Sequence, residues 1–379
     1  MKKLIKIVFF LPLSLVYGLL ILIRNKLFDW KILRGKKFSV PIISVGNLSM
    51  GGTGKTPQVE YLIRLLKEHK RVAVLSRGYK RKTRGFLEAT PQSSYLDIGD
   101  EPMQYATKYP DITVAVCAKR AKAISKLLAK PEPPEVIILD DAFQHRYVKP
   151  SLNILLTDYY NLYVDDFIFP SGTLREFRRG AKRADIVVVT KTNTVLPSVD
   201  RKIIQKKLHL QPHQKLYFSY INYLQPVSIH DPQKTLSKHV TAIFMIAGIA
   251  NPYPFEEHLR NYCIDLRPFI FPDHHCFTKK EILKILEKFD RHLSRNKVIV
   301  TTEKDAQRLK IEPFLSLLQS LPVYYVPILS AFHEDKKCPF DEKITKNFFN
   351  IKKSCTFAPE FAEATFESSE NSLSRSSSG

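Results

Sequence analysis

The chain has 379 residues, enough for one large or two ordinary domains with full hydrophobic cores, and its 44% apolar and 25% charged residues are those of a globular protein. Five scattered cysteines (117, 263, 276, 338, 355), odd in number and with no CxxC pair, exclude a disulfide framework and a cysteine metal site. A net charge of +22 calls for an anionic partner, either nucleic acid or an anionic membrane carrying anionic substrates; without zinc-finger spacing or an RNA-binding aromatic signature, no nucleic acid is expected.

The N-terminus favours the membrane. Residues Ile7 to Ile23 carry no charge, with Lys2, Lys3 and Lys6 before them and Arg24, Lys26, Lys31, Arg34, Lys36 and Lys37 after. At ~1.5 Å per residue this stretch reaches about 25 Å, short for a bilayer core of ~30 Å. No small-x-small site follows, which disfavours a cleaved signal peptide. A helix lying in the interface or dipping partway in suits the length, Pro12 and the basic flanks; a true span and a buried core helix are the competing readings. Positive flanks favour the cytoplasmic side, so the body is expected there.

Next comes an apolar stretch, Val40 to Val45, then Gly46-Asn-Leu-Ser49-Met50-Gly51-Gly52-Thr53-Gly54-Lys55-Thr56-Pro57. Strand, Gly-rich loop, Gly-Lys-Thr and helix is the order of a phosphate-binding loop. The amides of 49–56 and the helix N-terminus converge on phosphate oxygens, Lys55 adds charge, and the Thr56 hydroxyl can hold Mg²⁺. The usual first glycine is replaced by Ser49. The chain is expected to bind a nucleoside triphosphate.

From there strands and helices alternate. Runs rich in β-branched residues recur at Val72–Leu75, Ile112–Cys117, Val136–Leu139, Asn153–Thr157 and Ile186–Val189, with helical periodicity after the loop and over Ala121–Leu128. This predicts an α/β fold of P-loop NTPase type, a mostly parallel sheet with helices on both faces. The expected divisions are a membrane-associated segment 1–37, a nucleotide-binding core 38–192, a Pro- and Gln-containing linker 193–238, and a smaller α/β unit 239–353. That last unit contains strands near Thr241–Ile249, Leu266–Phe271, Val298–Thr301 and Val323–Val326, and a helix near Lys279–Phe289. A Ser-rich tail, 354–379, is expected to be disordered.

Several stretches bear chemistry. Val136–Leu139 ends in Asp140-Asp141, the Walker-B pattern in which acids at a strand end meet Mg²⁺. Gln144 and His145 stand beside the same edge, where open α/β sheets bind ligands. Asp100, in Gly99-Asp-Glu-Pro102, suits a helix N-cap or a catalytic group equally. Asp273-His274-His275 has no i, i+4 partner for zinc; a base, or a base with its orienter, is the better-motivated reading, since a hydroxyl nucleophile must lose its proton. Basic clusters at Arg77–Lys82 and Arg175–Arg183 suit phosphate oxygens. Val189-Thr190-Lys191 is a weak candidate for a place near a nucleobase.

The ordered set resembles the tetraacyldisaccharide 4'-kinase family of lipid A biosynthesis. It comprises the apolar N-terminus, Ser44-Val-Gly-Asn-Leu with Gly51–Pro57, Ser76-Arg-Gly-Tyr79, Gly99–Pro102, Asp140-Asp141 with Phe143-Gln-His145, Leu174-Arg-Glu176, Ala247-Gly-Ile249, Asp273-His274 and Thr302-Glu-Lys-Asp305. That family also lacks the first Walker glycine. The resemblance implies transfer of the ATP γ-phosphate to the 4'-hydroxyl of a membrane-embedded acylated glucosamine disaccharide 1-phosphate, giving lipid IVA. By similarity, Asp100 and His274 form the dyad that activates this hydroxyl. Residues 49–56 hold the triphosphate, and Thr56, Asp140 and Asp141 organise Mg²⁺. Arg77, Arg120, Arg175, Gln144 and His145 contact phosphate or substrate. Phe177 departs from the proline expected after Leu-Arg-Glu. No obligate protein partner is predicted. The rival readings are a membrane-associated P-loop ATPase that switches or positions other proteins, and a nucleic-acid-binding ATPase motivated only by net charge.

Overall fold

The apolar N-terminal stretch continues into its basic flank as one helix, α1 (Lys2–Asp29), with Pro12 inside it. The structure is a computed structural model that describes residues 2–236, 239–273, 275–333 and 339–349, with side chains described from 9 to 345. One side of α1 rests on the body: Ser14 Oγ donates to Ser171 Oγ at 2.8 Å, Tyr17 Oη to the Arg175 carbonyl at 3.0 Å, and Asn25 Nδ2 to Glu176 Oε2 at 3.0 Å. The other side leaves Phe9, Leu13, Leu15, Val16, Leu19, Leu20 and Ile23 exposed. By length and composition, Phe9–Asp29 is long and apolar enough to cross a membrane.

A nine-stranded sheet follows. Its strands are β1 (Ile42–Asn47), β2 (Val72–Ser76), β3 (Leu87–Glu88), β4 (Thr113–Val116), β5 (Val136–Leu139), β6 (Leu152–Asp158), β7 (Ile186–Thr192), β8 (Lys215–Tyr223) and, much later, β14 (Ile328–Phe332), in the order β14-β8-β7-β6-β1-β5-β2-β4-β3. All pairs are parallel except β3 with β4 and β14 with β8. The helices among them are α2 (Lys55–Lys67), α3 (Tyr95–Ile98), α4 (Asp100–Lys108), α5 (Arg120–Leu128) and α6 (Ser198–Leu208).

The central strands are buried along their whole length, which is why they read as continuous apolar runs. Ala123, Ile124 and Leu127 of α5 pack on Ala73, Leu75, Ala115 and Ile137 of one face. Ile204 and Leu208 of α6 pack on Leu155, Val187 and Val189 of the same sheet. Each fully buried aliphatic side chain contributes ~1.5–3 kcal/mol. The chain runs from β1 across to β2 and comes back through β5, so β1 lies between β5 and β6. Such a switch point opens a crevice at the strand C-termini, and the Gly-rich loop leaves β1 there.

A second sheet has the order β11-β10-β12-β13-β9, from β9 (Val227–Ser228), β10 (Val240–Ala247), β11 (Cys263–Ile270), β12 (Lys297–Thr302) and β13 (Val323–Val326); its helices are α7 (Tyr253–Leu259), α8 (Lys279–Asp290), α9 (Glu303–Leu309) and α10 (Phe314–Leu318). Alternate residues of β10 feed opposite faces: Ala242, Phe244 and Ile246 join one core, Ile243, Met245 and Ala247 the other.

The expected linker and second unit need redrawing. Residues 193–238 contain α6 and β8, and β8 is the eighth strand of the large sheet in chain order. After β13 the chain returns to that sheet as β14, pairing Ile328 with Tyr223, so the second sheet is not a C-terminal domain. Residues from 339 form a separate unit whose described part is α11 (Pro339–Phe349). The Ser-rich tail lies outside the described residues.

Candidate active site

Between β1 and α2 the loop is held from three sides. Its first half runs extended beside Leu174: Ser49 bridges Leu174, the Met50 N–H donates to the Thr173 carbonyl at 2.7 Å, and the Arg175 N–H to the Leu48 carbonyl at 2.7 Å. That pairing accounts for serine at 49, since extended backbone has no need of glycine. Gly51 (φ 119°) and Gly54 (φ 74°) do sit in left-handed backbone, where a side chain is disfavoured. Inside the loop, Asn47 Nδ2 donates to Thr53 Oγ1 at 2.8 Å and Thr190 Oγ1 to the Thr53 carbonyl at 2.9 Å. Lys191 donates to the Gly52 carbonyl and pairs with Asp158 at 3.0 Å. Thr190 and Lys191, read as weak candidates for a place near a nucleobase, also fasten the loop itself.

Where β5 ends, the Ala142 N–H donates to the Val45 carbonyl at 3.1 Å, and a Cβ on Gly46 would stand 2.7 Å from the Phe143 nitrogen. The loop and the acid pair thus lie side by side. Asp140 is buried, and burial, then Glu101 and Asp141, push its carboxyl up to about 7. Burial also pushes Asp141 upward, but Lys55 and Arg175 outweigh it and hold that carboxyl below the usual range. Lys55 Nζ lies 3.7 Å from Asp141, and Arg175 Nη1 lies 2.9 Å from both its oxygens.

The remaining expected contacts divide. Arg120 is buried; Nη1 donates to the Cys117 carbonyl at 3.0 Å and Nη2 to the Asp140 carbonyl at 3.3 Å, and burial lowers its pKa to about 10. It braces the acid strand's end. Arg77 is exposed and close enough to Arg120 and His145 to disfavour their charged forms. Gln144 Nε2 donates to the Asn47 carbonyl at 2.8 Å and Glu176 Oε1 at 3.3 Å, tying the segment after the acids to the root of the loop. His145 is pushed down to about 4 by burial, then Arg120, Arg24 and Arg77, and its buried Nε2 has no hydrogen-bond partner among the described residues.

Opposite this cluster stands Asp100, buried in the first turn of α4. Gly99 (φ 97°) occupies the N-cap, so the capping role considered for Asp100 falls to its neighbour. Arg308 of α9 grips Asp100, with Nη2–Oδ2 at 2.5 Å and Nε–Oδ1 at 3.3 Å. His274 lies outside the described residues. Its neighbours are placed: Lys304 Nζ is 3.4 Å from Asp273 and 3.6 Å from Glu101, so one cation joins Asp273 to the helix carrying Asp100. His275 Nε2 lies 3.1 Å from both oxygens of Glu281, the carboxylate that closes the α8 capping box.

Among the described residues no three acidic, His or Cys side chains are grouped to hold a metal alone. The set Thr56, Asp140 and Asp141 fits an ion that takes one or two carboxylates and completes its shell with phosphate oxygens, the habit of Mg²⁺. The raised pKa of Asp140 fits too, because a buried carboxyl beside Glu101 and Asp141 is eased into its charged form when a cation arrives. Glu101, Glu176, Lys191 and Lys304 each lie inside a motif visible in the sequence, but their parts in these networks emerge only from the structure.

A model of the family described as tetraacyldisaccharide-1-P 4'-kinase matches residues 7–347. The tetraacyldisaccharide 4'-kinase of Parabacteroides distasonis is 50% identical over 343 residues, 89% of this chain and 93% of the relative. That of Bacteroides thetaiotaomicron is 47% identical, over 88% and 91%. A crystal structure of LpxK from Aquifex aeolicus in complex with ATP superposes with a TM-score of 0.69 at 28% identity, covering 92% of this chain and all of that one. A nucleotide-loop geometry, an acid pair beside it and a match running almost end to end all agree: the chain belongs to the tetraacyldisaccharide 4'-kinase family.

Proposed function

We propose that the protein phosphorylates a lipid, moving the γ-phosphate of ATP to the 4'-hydroxyl of an acylated glucosamine disaccharide 1-phosphate to give lipid IVA. The observation that carries this reading is mechanical: the apolar helix α1 is bolted to the loop that holds phosphate. Tyr17 and Asn25 of α1 bond Arg175 and Glu176, and the backbone of 173–175 pairs with that of 48–50. A soluble switch ATPase has no need for this junction. A lipid kinase needs its donor site at a fixed height over the membrane.

In this reading the amides of 49–56 and Lys55 take the triphosphate, with Arg175 and Arg77 placed toward its oxygens or the substrate's. Thr56, Asp140 and Asp141 hold Mg²⁺, which neutralises charge on the transferring phosphoryl group. Asp100 and His274 act on the 4'-hydroxyl: its oxygen bonds to the γ-phosphorus, the bond to the ADP oxygen breaks, and the proton passes to the dyad. Arg120 and Gln144 support the site by bracing its backbone. The exposed face of α1 enters the inner membrane from the cytoplasmic side, and the basic flanks meet anionic headgroups. Mixing the protein with Mg-ATP and the acylated disaccharide 1-phosphate tests this: a new phosphate monoester on the lipid is expected. ATP turnover without that product would return the protein to the ATPase reading.

A further inference from the structure

We infer that Arg308 is a positioning residue for Asp100, holding the catalytic carboxylate in register from the second sheet. This inference rests on the role given to Asp100 above. Arg308 has 2% of its side chain exposed, and its fork is divided between two carboxylates. Nε and Nη2 face Asp100, and Nη1 donates to Asp305 Oδ1 at 2.7 Å. Asp305 is anchored in turn: its Oδ2 accepts from the Gly248 N–H at 2.8 Å and from Thr302 Oγ1 at 2.7 Å. The line Gly248, Asp305, Arg308, Asp100 therefore runs from the end of β10 into the first turn of α4, joining residues 208 apart in sequence.

Burial and full engagement make Arg308 unsuited to clamping phosphate, which needs an open fork. The geometry suits an orienter. A carboxylate gripped through both oxygens cannot rotate about its last torsion, and small misplacements of a reacting group cost ~10²-fold in rate. The printed bonds of Arg308 all go to Asp100 and Asp305 and none to the nucleotide loop, so ATP affinity is expected to change little without it.

Kinetics of Arg308→Met, Asp100→Asn and the double variant test the assignment. Arg308→Met is expected to lower kcat by ~10²-fold, with KM for ATP within about threefold of wild type. Arg308→Lys, which keeps the charge, restores kcat to within about tenfold of wild type. The double variant is expected to be no slower than Asp100→Asn alone, because Arg308 acts through Asp100. Wild-type kcat for Arg308→Met, or losses that multiply in the double variant, would overturn the inference. Should Arg308→Met not fold, Asp305→Asn loosens the same guanidinium from its other side, and a kcat equal to wild type there overturns it equally. Wild-type kcat for Asp100→Asn is a separate outcome that sinks the role of Asp100 itself.

Discussion

Asp140 and Asp141 are sequence neighbours driven in opposite directions by their surroundings. Asp140 is enclosed and faces two other carboxyls, while Asp141 turns through left-handed backbone (φ 46°) toward Lys55 and Arg175. With its carboxyl raised to about 7, Asp140 holds a proton in part of the population near neutral pH. A divalent cation delivered with nucleotide favours the charged form, so binding at pH 6.5 releases a proton. Calorimetric titration in two buffers of different ionisation enthalpy measures this; Asp140→Asn is expected to release fewer protons than wild type, and equal release from the two would contradict the assignment. The acid pair was legible because a buried strand ending in two acids has few other uses. Arg308 was not: an arginine in a short helix after Lys304 reads as a surface cation, and its partner is 208 residues away.

β1 carries the nucleotide loop, and its fit against the acid strand depends on one missing side chain. Gly46→Ala would place a Cβ 2.7 Å from the Phe143 nitrogen and 2.8 Å from the Phe143 Cβ, with backbone on one side that cannot swing away. Overpacking of this kind costs ~1–3 kcal/mol, and the urea midpoint is expected to fall accordingly. An unchanged midpoint would mean that β1 and the 142–143 turn can separate freely. The inner strands were readable at this scale because both faces are buried, which makes the apolar signal continuous. β8 escaped notice because its sides are only partly buried and polar residues interrupt it, so Lys215–Tyr223 looked like connecting chain. The helices at Arg120–Leu128 and Lys279–Asp290 were bounded to within a residue or two by their apolar periodicity, whereas the short capped helix Glu303–Leu309 was too brief to show one.

Across the whole molecule, the two sheets meet through buried charge as well as through Arg308. Glu60 of α2 accepts from Gln104 at 2.8 Å and pairs with Lys108 of α4 at 2.7 Å, and Lys108 also reaches Glu303 of α9 at 2.8 Å. Burial pushes Glu60 up to about 7; Lys108 opposes the shift and Glu303 adds to it. The folded protein thus keeps a proton that the unfolded chain loses near the ordinary value of 4.5. Stability from this group is therefore greatest below that value and declines as pH rises through the folded pKa. The stability of wild type relative to Glu60→Gln is expected to fall between pH 5 and 7.5 in urea unfolding, and a constant difference would show that Glu60 ionises normally. None of this could be seen in sequence, since a Glu on an amphipathic helix reads as solvent-facing. The route of the chain has a consequence of its own. It leaves the large sheet after Tyr223 and re-enters at Ile328, two residues that are register partners, with the Leu224 N–H bonded to the Pro327 carbonyl at 3.0 Å. Topologically, residues 225–326 are a cassette spliced into the tip of a β-hairpin. They could be cut out and the ends joined by a short turn without rethreading any strand. The cassette is thus exchangeable between relatives as one piece, provided that Glu303 and Arg308 travel with it to meet Lys108 and Asp100.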